Sequence, residues 1–248
     1  MNLVKNKLKE GLPVYGVLSP SFDPVIVEML GALGLDYFMI EGEHASPDDA
    51  SSIQYVCRAA ELSGMTPLAR VRSNDPKLIL QYLEAGIKGI MLPGVKNAEE
   101  VGSFIKSLKY PPNGIRGLGP SRANDYLLGQ KSIDQIIEES NEEIMSIVQV
   151  ETKEAYENLD EILSVPGIDL IVIGTADLSL SMGLKDSDSG LQQVVKTIQE
   201  AAHQLKIPVG MVASKKTDFK RLEREGVAFY ITPLGHLIKR GLNKLKTN

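Results

Sequence analysis

Cysteine occurs once, at Cys57, so the chain can form no internal disulfide. A lone thiol suits a reducing compartment, and a cytoplasmic location is expected. Apolar runs of the roughly 18 to 20 residues needed to span a bilayer are missing. The first residues, MNLVKNKLKEG, contain lysines but no apolar stretch of secretory type. A membrane partner is therefore not expected. A long basic run is also missing and the formal net charge is −5, which argues against a nucleic-acid partner. No Gly-x-Gly-x-x-Gly follows the first strand-like run, as a dinucleotide-binding open sheet would require. Low-complexity segments are absent as well.

What is present fits a large folded core. The chain has 248 residues, of which 43% are hydrophobic and 24% charged. α/β barrels of this length are commonly one domain. A single rhythm repeats: a short apolar run, a polar turn, then an amphipathic stretch. The apolar runs are VYGVLS (14–19), YFMIEG (37–42), TPLARV (66–71), GIMLPGV (89–95), IMSIVQV (144–150), DLIVIGT (169–175), IPVGMVA (207–213) and AFYITPLG (228–235). Asp23-Pro24, Ser46-Pro47 and Asp75-Pro76 read as helix starts, with the polar residue as N-cap and proline at the first position. Gly64 reads as a helix end. Continuous apolar runs suggest parallel strands covered on both faces. Eight of them alternating with helices predict a (β/α)₈ barrel over residues 1–248, and a doubly wound open sheet is the rival. Residues 110–130 form the longest irregular stretch and carry Arg116 and Arg122. A loop of that length is more often functional than idle. Cys57, in the helical pattern SSIQYVCRAAEL, is read as packing.

Barrel chemistry collects at the C-terminal ends of strands. Those ends carry Glu41, Glu43 and His44 after run two, Arg70 and Arg72 on run three, Gln149 and Glu151 at run five, and Gly174-Thr175-Ala176-Asp177 at run six. Glu151 and Asp177 are two carboxylates on neighbouring units. Like charges held close need a cation or a proton between them, and oxygen donors suit Mg²⁺ or Mn²⁺. The plainer alternative makes both of them helix N-caps. Arg70 suits an oxyanion, while Arg72 is read as a surface pair. His44 can move protons near neutral pH. His203 falls in a helical stretch, and His236 follows run eight as a weaker candidate. None of the eight runs holds a lysine. That lowers the Schiff-base reading on this scaffold and favours a metal-enolate one.

The segments MIEGEHAS (39–46), RVRSNDP (70–76), YPPNGIRGLG (110–119), QVETKEAYENLDEI (149–162) and IGTADLSLSMG (173–183) resemble, in order, the motifs of the HpcH/HpaI aldolase/citrate lyase family. These are class II pyruvate aldolases, and the likeness runs from about residue 12 to about 235. It implies a (β/α)₈ barrel, a divalent metal (Mg²⁺, or Mn²⁺/Co²⁺) and a homo-oligomer. The family's hexamers exchange their last helix, and the tail 236–248 fits such an element. It implies Glu151 and Asp177 as metal ligands, with Gln149, Gly174, Thr175 and Ala176 at a 2-oxo acid. Arg70 would stabilise the enolate, His44 would carry the proton and Glu41 would be its partner. The implied reaction is reversible cleavage of a 4-hydroxy-2-oxo acid to pyruvate and an aldehyde through a metal-stabilised enolate. This chain departs from the common pattern at Glu41, where aspartate is usual, at Glu84, likewise, and at Thr175, where proline is frequent. One branch of the family condenses oxaloacetate with acetyl-CoA instead, and Arg116, Arg122 and Lys215 could line a CoA approach. A non-catalytic metal-binding barrel is the third reading.

Overall fold

The computed structural model describes residues 1–45, 50–185 and 188–246, so the expected helix start at Ser46-Pro47 lies outside the described residues. Eight parallel strands follow one another around a closed barrel: β1 (Val14–Ser19), β2 (Tyr37–Gly42), β3 (Thr66–Val71), β4 (Gly89–Leu92), β5 (Met145–Val150), β6 (Leu170–Ile173), β7 (Val209–Val212) and β8 (Phe229–Pro233). The ring closes where Val14 to Leu18 pair with Phe229 to Pro233. Closure rules out the open sheet and makes the fold the expected (β/α)₈ barrel. Helices α1 (Leu3–Lys9), α2 (Pro24–Ala32), α3 (Ala50–Leu62), α4 (Pro76–Ala85), α5 (Ala98–Leu108) and α6 (Ile133–Glu143) belong to the first half. The second half holds α7 (Lys153–Glu157), α8 (Leu159–Leu163), α9 (Thr175–Met182), α10 (Ser189–Gln204), α11 (Lys216–Arg224) and α12 (Leu234–Lys246).

Local chemistry sets these boundaries. Asp23 accepts a hydrogen bond from the Val25 N–H at 2.9 Å with Pro24 in the first turn of α2, and Asp75-Pro76 does the same for α4. Gly86 ends α4 at φ 111, a conformation that only glycine adopts cheaply. Several strands stop short of their apolar runs. β4 ends at Leu92 because Pro93 has no N–H for the ladder and Gly94 turns away at φ 61.

Side chains on a strand alternate between faces, so each strand feeds two cores. One face packs against the helices. The other fills the barrel with Tyr37, Met39, Leu68, Met91, Ile147, Val172 and Ile231, among others. Val4 and Leu8 of α1 cover the floor of that interior. α1 is anchored there by Asn2, whose side chain accepts from the Lys5 N–H and donates to the carbonyls of Lys88 and Glu143. The N-terminal stretch gives no strand or site signal in the sequence, and the floor helix was not expected. Its signal was Asn2 as cap with Val4 and Leu8 one turn apart.

α12 behaves differently. It begins directly after β8 and buries none of its residues. On the outer face of β1, Tyr15 is 40% exposed, although its ring stacks on Tyr230. Val17, two residues on along the same outward row, is buried in the core, so the exposure is confined to the start of β1.

The interior is tight at its floor. Gly16 faces Tyr37 across β1 and β2, and a Cβ there would stand 2.5 Å from the ring. The ring has no retreat, being stacked on Phe229 at 4.4 Å and bonded through its hydroxyl to the Tyr230 carbonyl at 2.8 Å. Gly16→Ala should therefore lower stability by about 1–3 kcal/mol through overpacking. Denaturant unfolding reads this directly, and an unchanged midpoint would show that the ring can move aside.

Candidate active site

The alternation that builds the apolar interior continues upward into polar residues. Tyr37 and Met39 are followed on the same face by Glu41, and Leu68 by Arg70. Met145 and Ile147 lead to Gln149 and then Glu151, and Leu170 and Val172 lead to Gly174. The mouth of the barrel thus receives charged and amide groups from β2, β3 and β5, and a glycine after β6, because the inward rows change composition at the strand ends, not because the strands change course.

Glu41 and Arg70 are register partners on adjacent strands. Arg70 Nε donates to Glu41 Oε1 at 3.1 Å and Nη2 donates to Oε2, a two-point pair that is buried. Glu41 Oε1 also accepts from the backbone N–H of Glu43 at 2.9 Å and of His44 at 3.3 Å. Burial would raise this carboxyl, but the Arg70 pairing and the two backbone donors hold it below its ordinary value. The expected Glu41–His44 side-chain pair is not made. The ring of His44 is exposed, and its Nε2 lies 3.8 Å from Glu43 Oε2. Glu43 also meets Arg70 Nη1 at 3.1 Å. Its carboxyl is raised by burial, with Arg70 and His44 opposing and Glu41 and Asp177 adding to the rise.

Glu151 is buried and accepts from the Gly94 N–H at 2.8 Å and from the Gln149 side-chain amide. Burial pushes its carboxyl up to about 7; the Gly94 N–H opposes this, and the charges of Glu43 and Asp177 reinforce it. Gln149 Oε1 is buried without a hydrogen-bond partner. Gly174 closes the group from β6. A Cβ at that position would stand 2.6 Å from Glu151 Oε2 and 2.8 Å from Gln149 Nε2, so its lack of a side chain leaves the carboxylate room. The plainer N-cap readings do not hold. Thr152, not Glu151, caps α7 through a bond from the Ala155 N–H, and α9 is preceded by Gly174 with Asp177 inside its first turn. Asp177 is exposed at the rim, as is Ala176, while Thr175 is half-buried.

Other candidates lie elsewhere. Arg116 is buried over the Tyr110 ring and donates to Ser140, and Arg122 pairs with Glu61 beside the Ala85 carbonyl. Together with Lys88, Glu143 and Ile144 they line a cavity of about 430 Å³ at the strand-start end of the barrel. This part of the 110–130 loop therefore does not border the mouth of its own barrel. His203 touches the Gly226 carbonyl, and His236 bonds Ser214 at 2.6 Å. No strand carries a lysine. Cys57 is buried, as expected, and burial pushes its thiol up to about 12.

A model of the HpcH/HpaI aldolase/citrate lyase family matches residues 15–233. The chain belongs to this family. A hydroxypyruvate/pyruvate aldolase of Roseovarius nubinhibens is 33% identical over 92% of this chain and 88% of its own. A 4-hydroxy-2-oxo-heptane-1,7-dioate aldolase of Shigella flexneri is 33% identical over 90% and 83%. Among solved structures, the citrate synthase SbnG superposes with a TM-score of 0.86 at 30% identity over 97% of this chain and 94% of its own. An HpcH/HpaI aldolase of Desulfitobacterium hafniense gives 0.90 at 26% identity, over 100% and 98%. Members of the family are carbon–carbon lyases, generally dependent on a divalent metal.

The donor set fits such a metal. Glu151 and Asp177 offer hard oxygen atoms, and no cluster of three or more metal-ligating side chains occurs among the described residues. Two carboxylates leave further positions for water or substrate oxygens, the arrangement that Mg²⁺ and Mn²⁺ accept. The unpartnered Gln149 Oε1 and the raised Glu151 carboxyl both mark a site short of positive charge. A proton on Glu151 competes with the metal. Below about 7 the acid form prevails, so apparent Mg²⁺ affinity should fall towards acid by about tenfold per pH unit and level off above that value. Calorimetric titration one pH unit either side of it measures this, and a flat profile would remove Glu151 from the ligand set.

Proposed function

We propose that the protein is a divalent-metal-dependent aldolase that reversibly cleaves a 4-hydroxy-2-oxo acid to pyruvate and an aldehyde. One observation carries the reading: a buried carboxylate raised to about 7, Glu151, feels the charges of both Asp177 and the buried cation Arg70 at the barrel mouth. Aldolase names on relatives at 33% identity support it.

The protein groups divide the work. The two carboxylates hold the metal, which when bound acts as a Lewis acid on the 2-keto oxygen. Arg70, kept rigid by its two-point pair with Glu41, presents its remaining N–H edge to the oxygen on which negative charge grows. Backbone N–H groups at the start of α9, around Thr175 and Ala176, receive the substrate carboxylate, as helix N-termini receive anions. Gln149 lines the pocket and fixes the Glu151 carboxylate. In cleavage the 4-hydroxyl gives up its proton and the C3–C4 bond breaks. Its electron pair moves into the keto group as an enolate, and the aldehyde leaves. Protonation at C3 then yields pyruvate. His44 Nε2, at the rim, carries these protons.

The citrate-forming reading rests on the likeness to a citrate synthase structure. Two of the cations that could guide CoA, Arg116 and Arg122, are engaged at the far end of the barrel. The aldolase reading needs neither.

A homo-oligomer belongs to the proposal. α12 exposes Leu237, Ile238, Leu242 and Leu245, and Tyr15 on the outer face of β1 is part-exposed. An exchanged last helix would bury both. Removing residues 236–248 should lower the mass seen by light scattering, and an unchanged oligomer would exclude exchange.

Methyl proton exchange tests the chemistry. Pyruvate in D₂O should lose its methyl signal in NMR when protein and Mg²⁺ are present, and keep it with EDTA or with Glu151→Gln. His44→Ala should slow the exchange by about 10²- to 10⁴-fold, the usual contribution of a general acid–base. Metal binding without exchange would refute the aldolase reading.

A further inference from the structure

Arg70 is enclosed by two acids. Nε and one N–H of Nη2 are bonded to Glu41, and Nη1 faces Glu43. An oxyanion that approaches from the Nη1 side meets Glu43 there. They are not held equally. Glu41 lies on β2 opposite Arg70 in the ladder, makes two hydrogen bonds to it and accepts two backbone N–H groups. Glu43 lies past the end of β2. Its Oε2 meets Nη1 at 3.1 Å as a charge contact, yet that buried oxygen accepts no aligned hydrogen bond. Its other near neighbour is the imidazole of His44, 3.8 Å from the same oxygen.

We propose that Glu43 is a partner-switching carboxylate, which stands on the Nη1 side of Arg70, yields that side to the substrate oxyanion, and then holds the imidazole of His44. This rests on the aldolase reading above. The charges around Glu43 favour the switch. Glu41 on β2, Glu151 beyond β5 and Asp177 on α9 all repel it, and Arg70 on β3 and His44 on its own loop attract it. An anion on Nη1 cancels the first attraction and leaves the second. Glu43 is thereby a positioning residue for His44, the role expected of Glu41 from sequence. Glu41 is fully used in fixing Arg70, so a displaced Glu43 is the acid free to orient the ring. Binding and proton transfer become coupled: the imidazole is held only once substrate has arrived.

The test compares Glu43→Gln with Glu43→Asp and wild type in the Mg²⁺-loaded protein. Oxalate, a planar dianion shaped like the enolate of pyruvate, is titrated calorimetrically. Pyruvate methyl exchange in D₂O gives kcat and KM. Glutamine keeps the size but not the charge, so it leaves Nη1 without breaking an ion pair. Oxalate affinity and KM should improve or hold, while kcat falls by about 10- to 100-fold, the usual effect of losing a group that orients another. Aspartate should restore part of kcat. A carboxylate that merely supports the loop would weaken oxalate binding and raise KM together with the loss of kcat, and that pattern overturns the proposal. So does a kcat within twofold of wild type, which returns the orienting role to Glu41. Absence of exchange in wild type refutes the aldolase reading instead, and the two failures are distinct.

Discussion

Two carboxylates, Glu41 and Glu43, meet one buried guanidinium, Arg70, at the mouth of this barrel, and the charges of Glu151 and Asp177 add to theirs. That imbalance governs the site. Arg70 neutralises Glu41 fully and Glu43 in part, because the strand ladder and the end of β2 bring those two within reach. Glu151 is left with an N–H and an amide, which are dipoles rather than charges. Burial outweighs the pull of Arg70 and raises this carboxyl to about 7. A divalent metal on Glu151, as proposed above, would relieve the same cost that protonation relieves.

The barrel itself explains how such an arrangement is tolerated. Below the mouth the interior is apolar and tightly filled, with Tyr37 wedged between Gly16 and Phe229, and α1 closes the floor. The polar groups are the next residues on the same inward rows. Their destabilising charge sits on a packed base, and it is confined to the end where water, metal and substrate enter. This is the division of labour usual in these barrels, with stability at the strand starts and chemistry at the strand ends.

Much of this was legible in the sequence for reasons that are local. Asp-Pro starts, a terminal Gly86 and eight apolar runs depend on near neighbours, and they gave the barrel with strand ends correct to within a few residues. Arg70, Gln149 and Glu151 were legible because strand-end position implies the mouth. What escaped depends on contacts between distant residues. Glu43 received no role from the sequence because its partner, Arg70, lies on the next strand. The Gly94 N–H on Glu151 comes from a loop after β4 that has no side chain to announce it. Arg116 and Arg122 looked like approach cations because nothing in their own stretch shows that Tyr110, Ser140 and Glu61 take them away from the mouth.

A glutamate at position 41 makes physical sense in this frame. A longer side chain on β2 reaches across the ladder to bond Arg70 at two points while its carboxylate still caps the N–H groups of Glu43 and His44. It thereby becomes part of the rigid scaffold. Arg70, Gln149 and Glu151 share that rigidity, being tied to strands or to one another. Glu43 and His44 stand past the strand end, and Asp177 stands on a helix at the rim. The reading proposed above gives the charge-stabilising role to Arg70 on its strand and the proton-carrying role to His44 on its loop. Pre-organised donors act without reorganising during the reaction, whereas a proton carrier has to approach its atom and leave it. The loop begins after Gly42, where a Cβ would meet the Arg70 carbonyl and the Tyr82 hydroxyl at 2.5 Å.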